Sequence, residues 1–477
     1  LEHYPAETLR PGDVLITNDP WLCAGHLFDI AIVTPVFADD VLVGLLGTVG
    51  HVADIGGTKD ALRAREIYEE GLQIPPMKFS EAGTLNATLV KLIEHNVRNS
   101  EQVLGDLHSF MAANALGGER LVSFMRDYGM QDLNALATVV QARSEKAMRD
   151  AIRKIPNGVY QSEMWSNPLG TPMRFPLKLT VADEAIEIDF EGAPPQLAQG
   201  GLNSTMNYTA AHATYPLKCI LTPSVRGNAG CYRPFTVKAP EGSILNCVYP
   251  ASVSVRVRTG WYIAPNIFKA LASATPLQVQ SYTGLPVALG IYGKDAQGAT
   301  YSDMLFSGGG QGASAGSDGK SALMYPTSAA NTPIEMVESR VPIVVTEKSF
   351  ITDSGGPGTY RGGLAQRVRF RKRDADGMPM QVSIYPEGAR LSPDGLFGGC
   401  PGLPAHGLVL DAKGNTLLDV GSGDLVTLND TDSCVELVLA GGSGFGDPSK
   451  RAAADVAHDV AMGWVTSDAA ARDHGET

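Results

Sequence analysis

Apolar positions along this chain fall into short strand-like stretches for most of its length and switch to helical spacing in only a few places. Residues 13–17, 30–37 and 41–50 are apolar and β-branched, with turn residues between them, which predicts short strands. From 100 to 128 and from 132 to 155 the period becomes helical. Leu133, Leu136, Val140, Met148, Ile152 and Ile155 fall near one face, Asp132 stands at an N-cap position and Pro156 ends the run. This spacing predicts a packed helical hairpin. Alternation returns in VYQSEMWS, MRFPLKLTVA and AIEIDFEG, as in sheets with one exposed face. A helix is expected at 210–221, and GWYIAPNIFKALASA has helical spacing interrupted by Pro265. Beyond 307 the segments SGGGQGASAGSDGK, DSGGPGTYRGGL, FGGCPG and AGGSGFGDP mark tight turns and close backbone approach. The whole pattern reads as α+β in four regions: β-rich 1–97, a helical hairpin 98–158, mixed α/β 159–306, and a glycine-rich β region 307–477.

Composition narrows what such a fold can do. A chain of 477 residues with 44% hydrophobic content can bury a large core. The net charge of −13 is spread without long runs of one sign, so no basic face is available for nucleic acid or an anionic membrane. Cys23, Cys219, Cys231, Cys247, Cys400 and Cys434 lie far apart, with no Cys-x-x-Cys pair, which predicts reduced thiols and a cytoplasmic location. No apolar run approaches the roughly 20 residues that span a bilayer. The first residues lack a secretory pattern and an initiator methionine, so the start reads as internal, processed or truncated.

The chemistry-bearing feature is a repeated phrase, GHLFDI at 25–30 and GHVADI at 50–55. Histidine supplies a neutral nitrogen and aspartate an anionic oxygen, a donor set suited to zinc, manganese or iron. Two such turns at neighbouring strand ends would make the N-terminal region metal-binding; the bland alternative is buried histidines in hydrogen bonds and aspartates capping turns. A bound metal with open positions would polarise an amide carbonyl or supply hydroxide, which places hydrolysis and carbonyl chemistry in view. Asp19, before Pro20, reads first as a turn-stabilising side chain. Glu66, Glu69 and Glu70 beside Arg63 and Arg65 read as a solvated charged face. SGGGQG and GGSGFG lack the Lys-Ser/Thr ending of a phosphate-binding loop and read as turns. Arg256 and Arg258 share a face of an alternating segment beside Trp261 and Tyr262, fit either to clamp a carboxylate or to salt-bridge across a sheet. Ser307 and Ser354 lack the nucleophile elbow of a serine hydrolase.

The stretch LRPGDVLITNDPWLCAGHLFDIAIVTPVF, followed by GTVGHVADIGG, EGLQIPP, NVRNSEQVLGDL, NAGCYRPFTVKAPEGSILN, SGGPGTYRGGL and GGSGFGDP, resembles the hydantoinase B/oxoprolinase family over essentially the whole chain. The resemblance implies a metal-bearing subunit of a hetero-oligomer whose hydantoinase A-like ATPase partner binds ATP. It implies ATP-dependent opening of cyclic amides such as hydantoins, 5-oxoproline or lactams. Related subunits, of the acetone and acetophenone type, carboxylate ketones. Position by position the implied metal ligands are His26, Asp29 and His51. Asp19 and Asp54 match further family positions, as proton acceptors or ligand orienters, and a further aspartate ligand is expected from a segment preceding this block. Two other readings remain open from the residues: a ketone carboxylase subunit, and a non-catalytic scaffold whose metal is structural.

Overall fold

The computed structural model describes residues 1–167, 169–327, 329–386 and 391–475. Strands β1 (Val14–Thr17), β2 (Asp29–Ala38), β3 (Val41–His51), β4 (Met77–Glu81) and β5 (Thr84–Leu85) form an antiparallel sheet in the order β3-β2-β1-β4-β5. The helix Ser100–Asp127 lies across one face of it. Asn114 fixes the contact, its amide donating to Ile32 O at 3.1 Å while its oxygen accepts from Thr48 Oγ1 at 2.6 Å. A methyl group on Gly50 would sit 2.1 Å from the Phe110 ring, so glycine lets helix and strand close up. Side chains alternate across a strand, so if Gly50 faces the helix then His51 faces away from it.

Strands β6 (Gly158–Ser166), β7 (Met173–Ala182), β8 (Ala185–Asp189) and β9 (Phe235–Lys238) build a second sheet, with β9 parallel to β8. The helices Asn134–Ile152, Met206–Leu221 and Ile263–Leu271 contribute Met148, Ile152, Leu217, Ile267 and Leu271 to its core. Pro265 is the third residue of its helix, where the missing N–H has no intrahelical partner to lose, so it starts the helix rather than breaking it.

Both long helices expected from the periodicity are present, but they do not pack along one another. Val103 and Leu107 of the first belong to the core of the N-terminal sheet, and Met148 and Ile152 of the second to that of β6–β9. Leu136 and Val140, expected on the buried stripe, are 38% and 43% exposed, because only the C-terminal half of Asn134–Ile152 reaches the second core.

The remaining strands are β10 (Val287–Lys294), β11 (Thr300–Ser307), β12 (Ile343–Phe350), β13 (Gln366–Lys372), β14 (Met380–Ile384), β15 (His406–Leu410), β16 (Thr416–Asp419), β17 (Asp424–Leu428) and β18 (Cys434–Leu439). They form two sheets, β11-β10-β14-β17 and β12-β13-β18-β15-β16, around a shared core that includes Leu289, Ile291, Val368, Phe370, Val382 and Leu437. Since β10 and β11 share that core, the break in packing falls before Val287 and not at 307. Among the described residues no helix is long and apolar enough to cross a membrane, and all six cysteines are free.

Candidate metal and substrate site

The antiparallel hairpin of β2 and β3 explains why the phrase occurs twice. Its register pairs Asp29 directly with His51, so the aspartate of the first copy meets the histidine of the second. Directly paired residues project on the same face with Cβ atoms about 5 Å apart. His26 precedes β2 in a turn that begins at Gly25, whose φ is +88°. That turn folds the imidazole back, with His26 Nδ1 2.9 Å from Asp29 Oδ2 and the two imidazole centroids 5.0 Å apart. The structure therefore brings His26, Asp29 and His51 together. Phe28 packs against both imidazoles, at 5.6 Å from His26 and 5.2 Å from His51.

The middle of the chain closes the other side. Arg256 is 5% exposed and donates to Ala24 O from Nε and Nη2, at 3.2 and 2.8 Å, and from Nη2 to Asp29 Oδ2 at 3.0 Å. Its guanidinium lies 4.6 Å from the centre of the Tyr208 ring, and that ring packs on His212 at 4.4 Å. The first turn of Met206–Leu221 adds Asn207, whose amide donates to Pro20 O at 3.1 Å and also to Cys23 O. Arg256 and Asn207 thus hold three successive parts of the loop that leads into His26. The segment around Arg256 is not the alternating strand its sequence predicts. Glu70 Oε1 takes the Val253 and Ser254 amides at 2.8 and 2.9 Å, Gly201 O takes that of Val255, and the chain then enters the helical turn Val257–Gly260. Arg258 consequently leaves the site and donates to Ser422 O at 2.9 Å.

Electrostatics set the protonation of the cluster. Burial lowers the pKa of His26 to about 3, with the Arg256 charge acting in the same direction. His51 keeps an edge open to solvent but is crowded on its other sides; desolvation, the largest cause, lowers its pKa as well. For Asp29 burial is the largest influence and acts upward, yet the closeness of His26 and, after it, the charge of Arg256 bring it down to about 2. Near neutral pH the cluster is accordingly two neutral imidazoles and one carboxylate. His26 Nδ1 lies off the line that a hydrogen bond to Asp29 needs, so this buried nitrogen has no hydrogen-bond partner despite the short distance. Among the described residues no group of three or more His, Cys, Asp or Glu side chains is already set as a cation cage. Asp29 Oδ2 is engaged by Arg256.

Two expected site residues are used by the fold. Asp54 is 3% exposed and accepts from Arg98 Nη1 and the Arg98 backbone N–H, both at 2.6 Å, and from the Gly56 N–H at 3.2 Å. It makes no hydrogen bond to His26, Asp29 or His51, so its chemistry is to hold the turn after β3 to the start of the long helix. Asp19 accepts the Trp21 N–H at 2.9 Å, the turn-stabilising role its position before proline suggests. Glu69 pairs with Arg65 at the surface, but Glu70 is buried, unlike the solvated face read from the sequence. The cause is local: the chain makes only the three-residue turn Ile67–Glu69 and then points Glu70 inward at the 253–254 amides.

The glycine-rich segments do not cradle phosphate. The amides of Gly310, Gln311 and Gly312 donate to Ala440 O, Lys320 O and Thr283 Oγ1. Those of Gly441 to Gly446 all donate to protein acceptors. A Cβ on Gly310 or Gly442 would sit 2.0 Å from a backbone oxygen, Gly363 O or Gln311 O, so glycine here permits extended segments to stack backbone on backbone. Ser354 Oγ is likewise bound to the fold, accepting from the Ala365 N–H at 2.9 Å.

Asn207, Tyr208, His212 and Glu70 were not legible as site residues. The one signal was the position of Asn207 at the end of the Gly/Pro/Asn-rich loop 192–207 that leads into the helix expected at 210–221.

The model of the family described as hydantoinase B/oxoprolinase matches residues 1–448. The B component of a putative D-/L-hydantoinase from Pseudomonas sp. (strain NS671) is 30% identical, covering 99% of this chain and 82% of that protein. The crystal structure of ATP-dependent caprolactamase from Pseudomonas jessenii superposes with a TM-score of 0.88 at 26% identity, over 98% of this chain and 83% of that one. A nucleotide-free acetone carboxylase shares the fold, with a TM-score of 0.84 at 18% identity over 99% of this chain and 70% of that one. The chain belongs to the hydantoinase B/oxoprolinase family.

Proposed function

We propose that this chain is the metal-bearing subunit of an ATP-dependent cyclic amidohydrolase and works with a hydantoinase A-like ATPase subunit. The observation that carries the reading is the convergence of two neutral imidazoles and a carboxylate at one strand end, with the buried His26 Nδ1 lacking a hydrogen-bond partner. That donor set fits a divalent ion, and Asp29 Oδ1, which accepts no hydrogen bond from a described residue, is open to it. His26, Asp29 and His51 would hold zinc, manganese or iron, which supplies polarisation of an amide carbonyl and a water of lowered pKa. Arg256 would balance the charge of Asp29 and fix the loop that aims His26. Asp19 would accept a proton from attacking water once its side chain turns from the Trp21 amide. The occupied amides of the glycine-rich segments support a division of labour in which nucleotide binds the partner. The likeness to caprolactamase, at higher identity than that to acetone carboxylase, favours amide opening over ketone carboxylation.

The test is reconstitution with the ATPase-type subunit and assay of ATP-coupled turnover against hydantoin, 5-oxoproline, a lactam, and a ketone with bicarbonate. Opening of at least one cyclic amide is expected. His51→Ala should lose both metal content, read by elemental analysis, and turnover, while remaining folded. Turnover of the ketone alone would replace this reading with the carboxylase one. Full activity and full metal content in the His51 variant would remove the site assignment.

A further inference from the structure

Beside the imidazole–carboxylate cluster stands a second group of polar atoms that the fold leaves unused. Arg256 spends Nε and Nη2 on Ala24 O and Asp29, while its Nη1 makes no hydrogen bond to a described residue. His212 makes no hydrogen bond to a described residue through either ring nitrogen, and its Nδ1 is buried. Both side chains lie against the ring of Tyr208. That ring is itself clamped. A Cβ on Gly260 would stand 2.4 Å from Tyr208 Cε1, and one on Gly25 would stand 3.0 Å from Tyr208 Cβ. The wall is thus rigid, and its two unused polar groups are held at fixed positions. Buried nitrogen atoms in folded proteins are nearly always hydrogen-bonded, so the unpartnered His212 Nδ1, on the same Tyr208 ring as an Arg256 Nη1 that is free to donate, calls for an explanation.

The geometry points to a substrate-recognition wall in which Arg256 Nη1 donates to the carbonyl oxygen of a cyclic amide and His212 accepts its ring N–H. This assignment rests on the cyclic-amide reading above and adds the residues that select the substrate. A lactam carries its C=O and N–H on the same side, an acceptor next to a donor. Arg256 can only donate, and a neutral imidazole has one acceptor nitrogen, so the pair is complementary to that edge. Burial lowers the pKa of His212 to about 4, with the Arg256 charge adding to it, which keeps the ring neutral and able to accept. An oxygen that gains negative charge as the ring opens would be held more strongly by the guanidinium. Since His212 lies on the helix Met206–Leu221 and not on the β2–β3 hairpin, its part in selecting the substrate is structurally separable from the holding of a metal, unlike that of Arg256.

The experiment compares a lactam with its N-methyl derivative, which keeps the carbonyl and lacks the N–H, in the reconstituted complex. A site built to hydrogen-bond a donor rejects an analogue lacking it, so the wild type is expected to prefer the N–H lactam by roughly tenfold or more in kcat/KM. His212→Phe keeps a ring against Tyr208 but removes the acceptor, and should bring that ratio close to one. His212→Gln, which restores an acceptor, should recover part of it. Metal content of both variants should equal that of the wild type. An unchanged preference in His212→Phe, or loss of metal in both variants, overturns the proposal while the amidohydrolase reading stands. A wild type that opens neither lactam nor any other cyclic amide overturns both.

Discussion

Glu70 offers a test of how the interior holds the loop that delivers Arg256. Its carboxyl is 3% exposed, with Oε1 taking the Val253 and Ser254 amides and Oε2 buried without a partner. Desolvation raises its pKa from 4.5 to about 7, and the hydrogen bonds from Ser254 and Val253, with the Arg256 charge, only partly offset this. A carboxyl whose pKa is raised on folding costs no stability below about pH 4.5, where both states are protonated. Above that the unfolded chain releases a proton that the folded chain keeps, and stability declines until the folded group also ionises near pH 7. At about 1.4 kcal/mol for each pH unit, the loss at pH 8 is on the order of 3 kcal/mol. Glu70→Gln keeps an oxygen for both amides and removes the charge, but leaves a buried NH2, which costs about 1 kcal/mol or more at every pH. The variant is therefore expected to be less stable than the wild type near pH 5 and more stable near pH 8. Urea unfolding at both values measures the difference. A variant that differs from the wild type by the same amount at both pH values would refute the reasoning, because Glu70 would not be titrating with folding.

Gly25→Ala must hold a left-handed backbone and push against Tyr208 Cβ at 3.0 Å; a stability loss of about 1–2 kcal/mol with a larger loss of metal affinity is expected, read by thermal unfolding and metal titration. Gly442→Ala would place a Cβ 2.0 Å from Gln311 O in a layer with no side chain able to move aside, so a loss above about 3 kcal/mol, or failure to yield folded protein, is expected by circular dichroism. Asn18, fully buried, donates to Leu27 O and Leu72 O and accepts from the Ile74 N–H; Asn18→Ala leaves all three unsatisfied and should cost about 2–4 kcal/mol in urea unfolding.

What could be read in advance followed from patterns that one residue's neighbours decide. The strands around 14–17, 29–38 and 41–51 and both long helices were legible because β-branched runs and helical spacing are local signals. The partners of those helices were not, since an apolar stripe says that something is covered but not by what. Leu136 and Val140 are the cost of assuming otherwise. Glu70 looked like part of a solvated face because its charge, in sequence, sits among Arg63, Arg65 and Glu66; only the distant amides of Val253 and Ser254 draw it inward. His212 and Tyr208 carried no motif at all. They face the site because helix Met206–Leu221 is pinned to the 20–23 loop through Asn207, a contact that spans some 184 residues of sequence.

The repeated phrase shows how far local resemblance can mislead about equivalence. Read as two copies, GHLFDI and GHVADI suggest four matching ligands. The hairpin makes them inequivalent, because antiparallel strands bring the end of one copy to the start of the other. The two turn residues Asp39 and Asp40, both at positive φ, set Ala38 opposite Val41. Continued without interruption, that register would place His51 opposite Phe28. A bulge between Val36 and Phe37, where Gly44 follows Leu42 as the paired residue, shifts the rest of the strand by one and sets His51 opposite Asp29. Since a one-residue shift turns every side chain to the other face of a sheet, the bulge also decides which side of the hairpin the imidazole occupies. The site thus depends on Val43, a residue with no polar atom in its side chain. Asp54, beyond the end of the strand, is outside this pairing and goes to Arg98 instead, which is why three members of the doubled phrase meet and the fourth does not.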